Sequence, residues 1–106
     1  MFIGKVTGNV VATQKIKSVD GKKLLMVEAY NVTTDTPPRL KATGRVAIAV
    51  DVLGAGEGEF VLVTQGSSAR LTEDTKNLPV DAVVVGIIDT VQVGAECLYS
   101  KEREGK

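Results

Sequence analysis

The segment Asp51-Val-Leu-Gly-Ala-Gly-Glu-Gly-Glu59 constrains this chain more than any other. Glycines at alternate positions, Gly54, Gly56 and Gly58, stand between two strand-like apolar runs, and a second glycine cluster, Gln65-Gly-Ser-Ser-Ala-Arg70, follows shortly. Glycine gives up more backbone entropy on folding than any other residue, so such clusters mark positive φ or close backbone approach. A phosphate cradle is one use of such a loop, and here the chemistry argues against it. A Walker loop needs Lys and then Ser or Thr after its last glycine, whereas Glu59 and Phe60 follow Gly58. The dinucleotide pattern needs a small residue at position 59 and a helix behind it; Glu59 and a strand stand there instead. Glu57 and Glu59 would also repel a polyanion. A tight turn that brings backbone against backbone is the expectation.

The rest of the chain narrows function by what it lacks. There is no histidine and a single cysteine, Cys97. Ser-His and Cys-His nucleophile pairs, the usual zinc ligands and an intrachain disulfide are therefore excluded, and no cofactor or metal site is expected. The 13 basic and 13 acidic residues balance to zero net charge, and Phe2, Tyr30, Phe60 and Tyr99 are the only aromatics. That is neither the basic footprint nor the stacking platform of a nucleic-acid binder. Near-zero charge in a chain that is 43% hydrophobic suits a protein that associates with others. The apolar run from Ala82 to Ile88 lies between Asp81 and Asp89 and is too short to cross a bilayer. Residues 1–5 lack the pattern of a signal peptide, so a cytosolic location is expected. Asn31-Val-Thr33 is then a chance match to the glycosylation sequon.

Strand signals dominate. Phe2 to Thr13 is β-branched and interrupted by Gly4 and Gly8, which predicts a strand bent or bulged at the glycines. Asp20-Gly21 between Ile16–Val19 and Lys22–Val32 predicts a hairpin, its lysines (Lys15, Lys17, Lys22 and Lys23) serving as a solvated edge. Pro37-Pro38 marks a loop. From Gly44 to Val52, one face carries Val46, Ile48, Val50 and Val52; the other carries Ala47, Ala49 and Asp51, small enough to lie against another sheet or chain. Glu59 to Thr64 reads as a strand buried on both faces. Ser67 to Lys76 is the one expected helix, about two turns long, capped by Ser67 or Ser68 and ended by Asn77-Leu78-Pro79. Val80 to Val93 reads as one long strand bent at Gly86. The fold class predicted is mainly β, a five-stranded OB-like barrel with one short helix, a flat sandwich being the alternative. A single barrel domain spans residues 1–96, and residues 97–106 form a charged C-terminal tail.

Asp51, Glu57 and Glu59 do not make a convincing acid–base pair, since a small turn offers no cleft across which two carboxylates face each other; presentation to solvent or to a partner is the simpler expectation. Arg70, after two serines, is an ordinary surface residue or a donor across a subunit contact.

Several segments together resemble the EutN/CcmL family, the vertex proteins of bacterial microcompartment shells. They are Met1-Phe-Ile-Gly-Lys-Val-Thr-Gly-Asn-Val-Val-Ala-Thr13, Gly21-Lys-Lys-Leu-Leu25, the glycine-rich turn, Gly66-Ser-Ser-Ala-Arg70 and Pro79-Val-Asp-Ala-Val-Val-Val-Gly-Ile-Ile-Asp89. The resemblance runs from residue 1 to about residue 93. It implies a non-enzymatic barrel that forms a homopentamer at the corners of a carboxysome-like shell in the cytoplasm, with hexameric shell proteins as partners and neither nucleic acid nor membrane. Gly54, Gly56, Gly58, Gly66, Ser67, Ser68 and Arg70 are then expected near the subunit interface or the central opening. The alternative is an OB-fold binding module for nucleic acid or peptide.

Overall fold

A computed structural model describes residues 1–11, 23–66 and 82–101. Among the described residues there are seven strands: β1 (Phe2–Val10), β2 (Lys23–Val32), β3 (Leu40–Asp51), β4 (Phe60–Gln65), β5 (Ala82–Ile87), β6 (Thr90–Val93) and β7 (Glu96–Ser100). The first five close into a barrel in the order β1-β2-β3-β5-β4, and β6-β7 forms a separate hairpin. Antiparallel pairing of β1 with β4 shuts the barrel, while β3 and β5 run parallel at Val50↔Val83 and Asp51↔Val84. Closure removes the unpaired strand edges that an open sheet of this length would expose. The barrel is the expected OB type rather than the flat sandwich.

Period-two patterning explains which residues face inward. Val6, Leu25, Val27, Ala49, Val61, Val63, Ala82 and Val84 form one buried cluster, to which the turn residue Ala55 belongs. These side chains are small because the barrel is narrow. A Cβ on Gly4 would run into Val27 Cγ1, and Val27 is itself fully buried. The bulge expected at the β1 glycines is present: the register with β2 slips between Val6 and Gly8.

Two expectations are corrected. The small face of β3 does not lie against another sheet: Ala49 and Asp51 turn into the barrel, whereas Val46 and Ile48 are 54% and 49% exposed and Val50 is buried against Val83. A barrel interior has room for alanine but not for a full layer of branched side chains on every strand. The long strand over residues 80–93 is also two strands. The register slip between Leu62 and Val63 opposite Gly86 realises the predicted bend, and the chain then leaves the barrel. Ile88 N–H still donates to the Phe60 carbonyl (2.9 Å), and the Asp89 carbonyl accepts the Lys101 N–H (2.8 Å). Strand β7 carries regular structure to Ser100. Tyr99 anchors that hairpin to the barrel wall, 4.6 Å from the Phe60 ring, which meets Tyr30 edge-on at 5.0 Å. The helix expected over residues 67–76 and the Asp20-Gly21 turn lie outside the described residues.

Candidate assembly site

The glycine-rich turn joins the buried end of β3 to β4. Its organiser is Asp51, 3% exposed, which sequence reading had left to face solvent or a partner. The carboxylate accepts the Leu53 N–H at 2.9 Å through Oδ1, and the N–H groups of Gly54 (3.2 Å) and Ala55 (2.8 Å) through Oδ2. Backbone N–H groups converging in this manner are what an anion-binding nest offers. Here the anion is the chain's own side chain, so the turn has no vacancy for a phosphate. Gly54 (φ +86°) and Gly58 (φ +90°) take the left-handed conformations that let the chain wrap around it.

Glu59 closes the other side of the turn. Its Oε1 accepts the Gly56 N–H at 2.6 Å, and its Oε2 meets Lys101 Nζ at 2.8 Å. The Lys101 hydrogen bond, then the Gly56 N–H, hold the Glu59 carboxyl below its ordinary range, and Glu59 in turn raises Lys101. The turn is stitched to the barrel by Gly58 N–H to the Val6 carbonyl (2.8 Å), by Val6 N–H to the Glu59 carbonyl (2.9 Å), and by Lys23 Nζ to the Ala55 carbonyl (2.8 Å). Lys23 is thus a structural donor rather than only a solvated edge. Of the three acids, Glu57 alone is exposed.

The structure gathers Gly54, Gly56 and Gly58 into this one turn but sets Gly66 (φ +67°) apart. Gly66 follows the far end of β4, about 20 Å away at the usual strand rise. Ser67, Ser68 and Arg70 lie outside the described residues. Beside Gly66, the mouth of the barrel opens into a recess of about 320 Å³ lined by Phe2, Ala29, Arg45, Val46, Ala47 and Gln65. Of these, sequence reading had marked only Ala47 for a contact, and it had not brought the six together. Among the described residues, no three His, Cys, Asp or Glu side chains converge on a common point.

The fold is thus a closed OB-type barrel whose conspicuous loop spends its polar groups on itself. The family described as "Ethanolamine utilisation protein EutN/carboxysome" matches residues 1–89, and the chain belongs to it. The carboxysome shell vertex protein CcmL of Synechocystis sp. is 42% identical over 106 residues, covering 100% of both chains. The structure of Gloeobacter violaceus CcmL superposes with a TM-score of 0.82 at 41% identity, over 96% of this chain and 99% of that one. A GrpN pentameric microcompartment shell protein from Rhodospirillum rubrum gives 0.70 at 44% identity, over 89% of this chain and 99% of GrpN.

Proposed function

We propose that this chain is a structural protein whose homopentamers occupy the vertices of a bacterial microcompartment shell in the cytoplasm. The likeness to a pentameric shell protein along nearly the whole of that protein's length carries the reading. Its work is geometric. A flat hexagonal layer cannot close into a polyhedron, and pentagons at the corners supply the missing curvature. A five-membered ring is built from a heterologous contact, one face of each copy meeting a different face of the next. A rigid barrel suits that role, because the closing angle is set by how the two faces are held relative to each other. On this reading the protein catalyses no reaction and needs no cofactor, and its outer partners are the hexameric shell proteins of the facets.

Gly54, Gly56 and Gly58, and separately Gly66, Ser67, Ser68 and Arg70, are assigned to the subunit contact or the central opening. Gly58 and Gly66 stand beyond opposite ends of β4, which supports assigning the two groups to different parts of that contact. Native mass spectrometry tests the assembly: five times the 11.2 kDa chain mass is expected, and a monomer at every concentration refutes it. In a host that carries the compartment, deletion should leave facets that form and corners that stay open, visible as elongated or leaky shells. Normal sealed shells would end the vertex reading.

A further inference from the structure

The recess at the barrel mouth lies where the strand walls part. β3 is bridged to β5 only at Val50 and Asp51, and among the described residues no strand pairs with that edge of β3 from Leu40 to Ala49. Ala29, Ala47 and Gln65 each stand two positions from a core residue (Val27, Ala49 and Val63), and Phe2 packs against the same cluster. The core therefore continues outward as an apolar floor of Phe2, Ala29 and Ala47, flanked by the side chains of Arg45 and Gln65. A β-bulge places Arg45 there. The pairing of β3 with β2 passes from Ala42↔Tyr30 to Val46↔Glu28, so residues 43–45 all stand opposite Ala29. Gly44 takes φ +81°, and the Thr43 hydroxyl donates to the Ala29 carbonyl (2.8 Å) while accepting the Arg45 N–H (3.1 Å). Bulges at barrel rims re-aim a side chain, and the side chain re-aimed here is a cation. Among the described residues, no carboxylate lies within ion-pair distance of the Arg45 guanidinium and none lines the recess. Glu28, opposite Val46, belongs to the outward face of β2, between the inward Val27 and Ala29.

We infer that the barrel mouth is a binding site for a small carboxylate carried on a short apolar chain. Barrel mouths are recurrent ligand sites, and about 320 Å³ stands at the small end of the range that holds small molecules. The guanidinium fork of Arg45 matches a carboxylate in bidentate fashion, and the Gln65 amide across the recess offers further N–H donors. The positive charge has no acid beside it, so an anion is favoured over a neutral ligand. The floor then selects among anions. A carbon chain would cover Phe2, Ala29 and Ala47, whereas inorganic phosphate would leave that apolar surface in water. One barrel supplies every residue of the site, so the inference does not depend on the vertex reading.

Hexanoate is the probe, titrated into the full chain in whatever assembly it forms and followed by saturation-transfer NMR. Saturable binding with Kd on the order of 1 mM is expected, with saturation entering through the alkyl chain. Arg45→Gln should raise Kd more than about tenfold through loss of the charge-assisted pair. Arg45 is exposed, so its replacement should leave the melting temperature unchanged; if it does not, Arg45→Lys is read instead and should bind between parent and Arg45→Gln. Lys41→Gln, which removes an exposed cation from the same strand outside the recess, should bind as the parent does. Hexan-1-ol and inorganic phosphate should each compete at least about tenfold more weakly than hexanoate. The assignment is overturned by no saturable binding at about ten times the expected Kd. It is equally overturned by an Arg45→Gln protein that binds as the parent, by a Lys41→Gln protein that loses as much affinity, or by hexan-1-ol or phosphate competing as well as hexanoate. Native mass spectra of the same samples bear on the vertex reading alone, so the two can fail separately.

Discussion

Replacing Asp51 with alanine removes the acceptor around which the glycine-rich turn is built. The Ala55 N–H suffers most, because Ala55 is 0% exposed and water cannot replace the lost partner. Stranding a buried donor costs ~1–3 kcal/mol. The Leu53 and Gly54 N–H groups lie at exposed residues and can turn to solvent, so each loses only the net value of its bond, roughly 0.5–1.5 kcal/mol. The sum is about 2–6 kcal/mol, and for a domain of this size it corresponds to a fall in Tm on the order of 10–25 °C. Asp51→Asn is the informative companion. Its one acceptor oxygen can keep Ala55 and Gly54, leaving its NH2 against the exposed Leu53 N–H, so it should lose roughly half as much or less. Thermal unfolding followed by circular dichroism, at one protein concentration so that assembly contributes equally, reads both variants. An Asp51→Ala protein melting within about 3 °C of the parent, or an Asp51→Asn protein melting below the Asp51→Ala one, would refute the internal-anion account of the turn.

Other expectations concern the barrel, its ion pair and its hairpin. Gly4→Ala should destabilise by ~1–3 kcal/mol, because the new methyl meets a buried Val27 that cannot move aside. Gly8→Ala should be close to neutral in the same denaturant titration, since its nearest neighbour is Met26 Sδ at 3.7 Å; equal losses at the two sites would contradict the packing. Glu59, held below its ordinary value of 4.5, stabilises the fold above that value and loses the contribution as pH falls through its depressed folded value. Lys101, raised above 10.5, acts in the opposite sense and loses its contribution as pH rises through its raised folded value. The acid limb of a Tm-against-pH profile should therefore flatten in Glu59→Gln, and an unchanged limb would discount the pair. Tyr99→Ala should cost ~3–5 kcal/mol and free the β6–β7 hairpin to exchange amide hydrogens ahead of the barrel. Arg70→Ala should weaken the pentamer in native mass spectrometry or lower its melting temperature; no change in either would remove Arg70 from the subunit contact.

Strand identity was legible where a segment alternates or runs apolar over its own length. β1 with its glycine bulge, β3 and β4 were read in this way, and the Pro37-Pro38 loop followed from proline's missing donor. A turn at residues 54–58 was legible for the same kind of reason, since Gly54 and Gly58 need φ values that few other residues accept. The role of Asp51 was half visible: an Asp that opens a turn commonly takes N–H groups a few residues on. Its burial was not, because that depends on β3 pairing with β5, a strand more than thirty residues away in sequence.

What the sequence determined alone is therefore local in origin or taken over the whole chain: strand propensity, turn positions, the absence of histidine, the neutral charge, and a family pattern spread along almost its full length. Tertiary structure decided the rest. It sent Ala49 and Asp51 of β3 inward and left Val46 and Ile48 exposed, a choice that alternation leaves open, because only closure of the barrel defines an inside. It also brought Lys101 to Glu59 and Lys23 to Ala55, contacts between segments whose spacing carries no signal. The turn that looks like a phosphate cradle in the sequence is closed in the fold by one carboxylate, which only the barrel could bring beneath it.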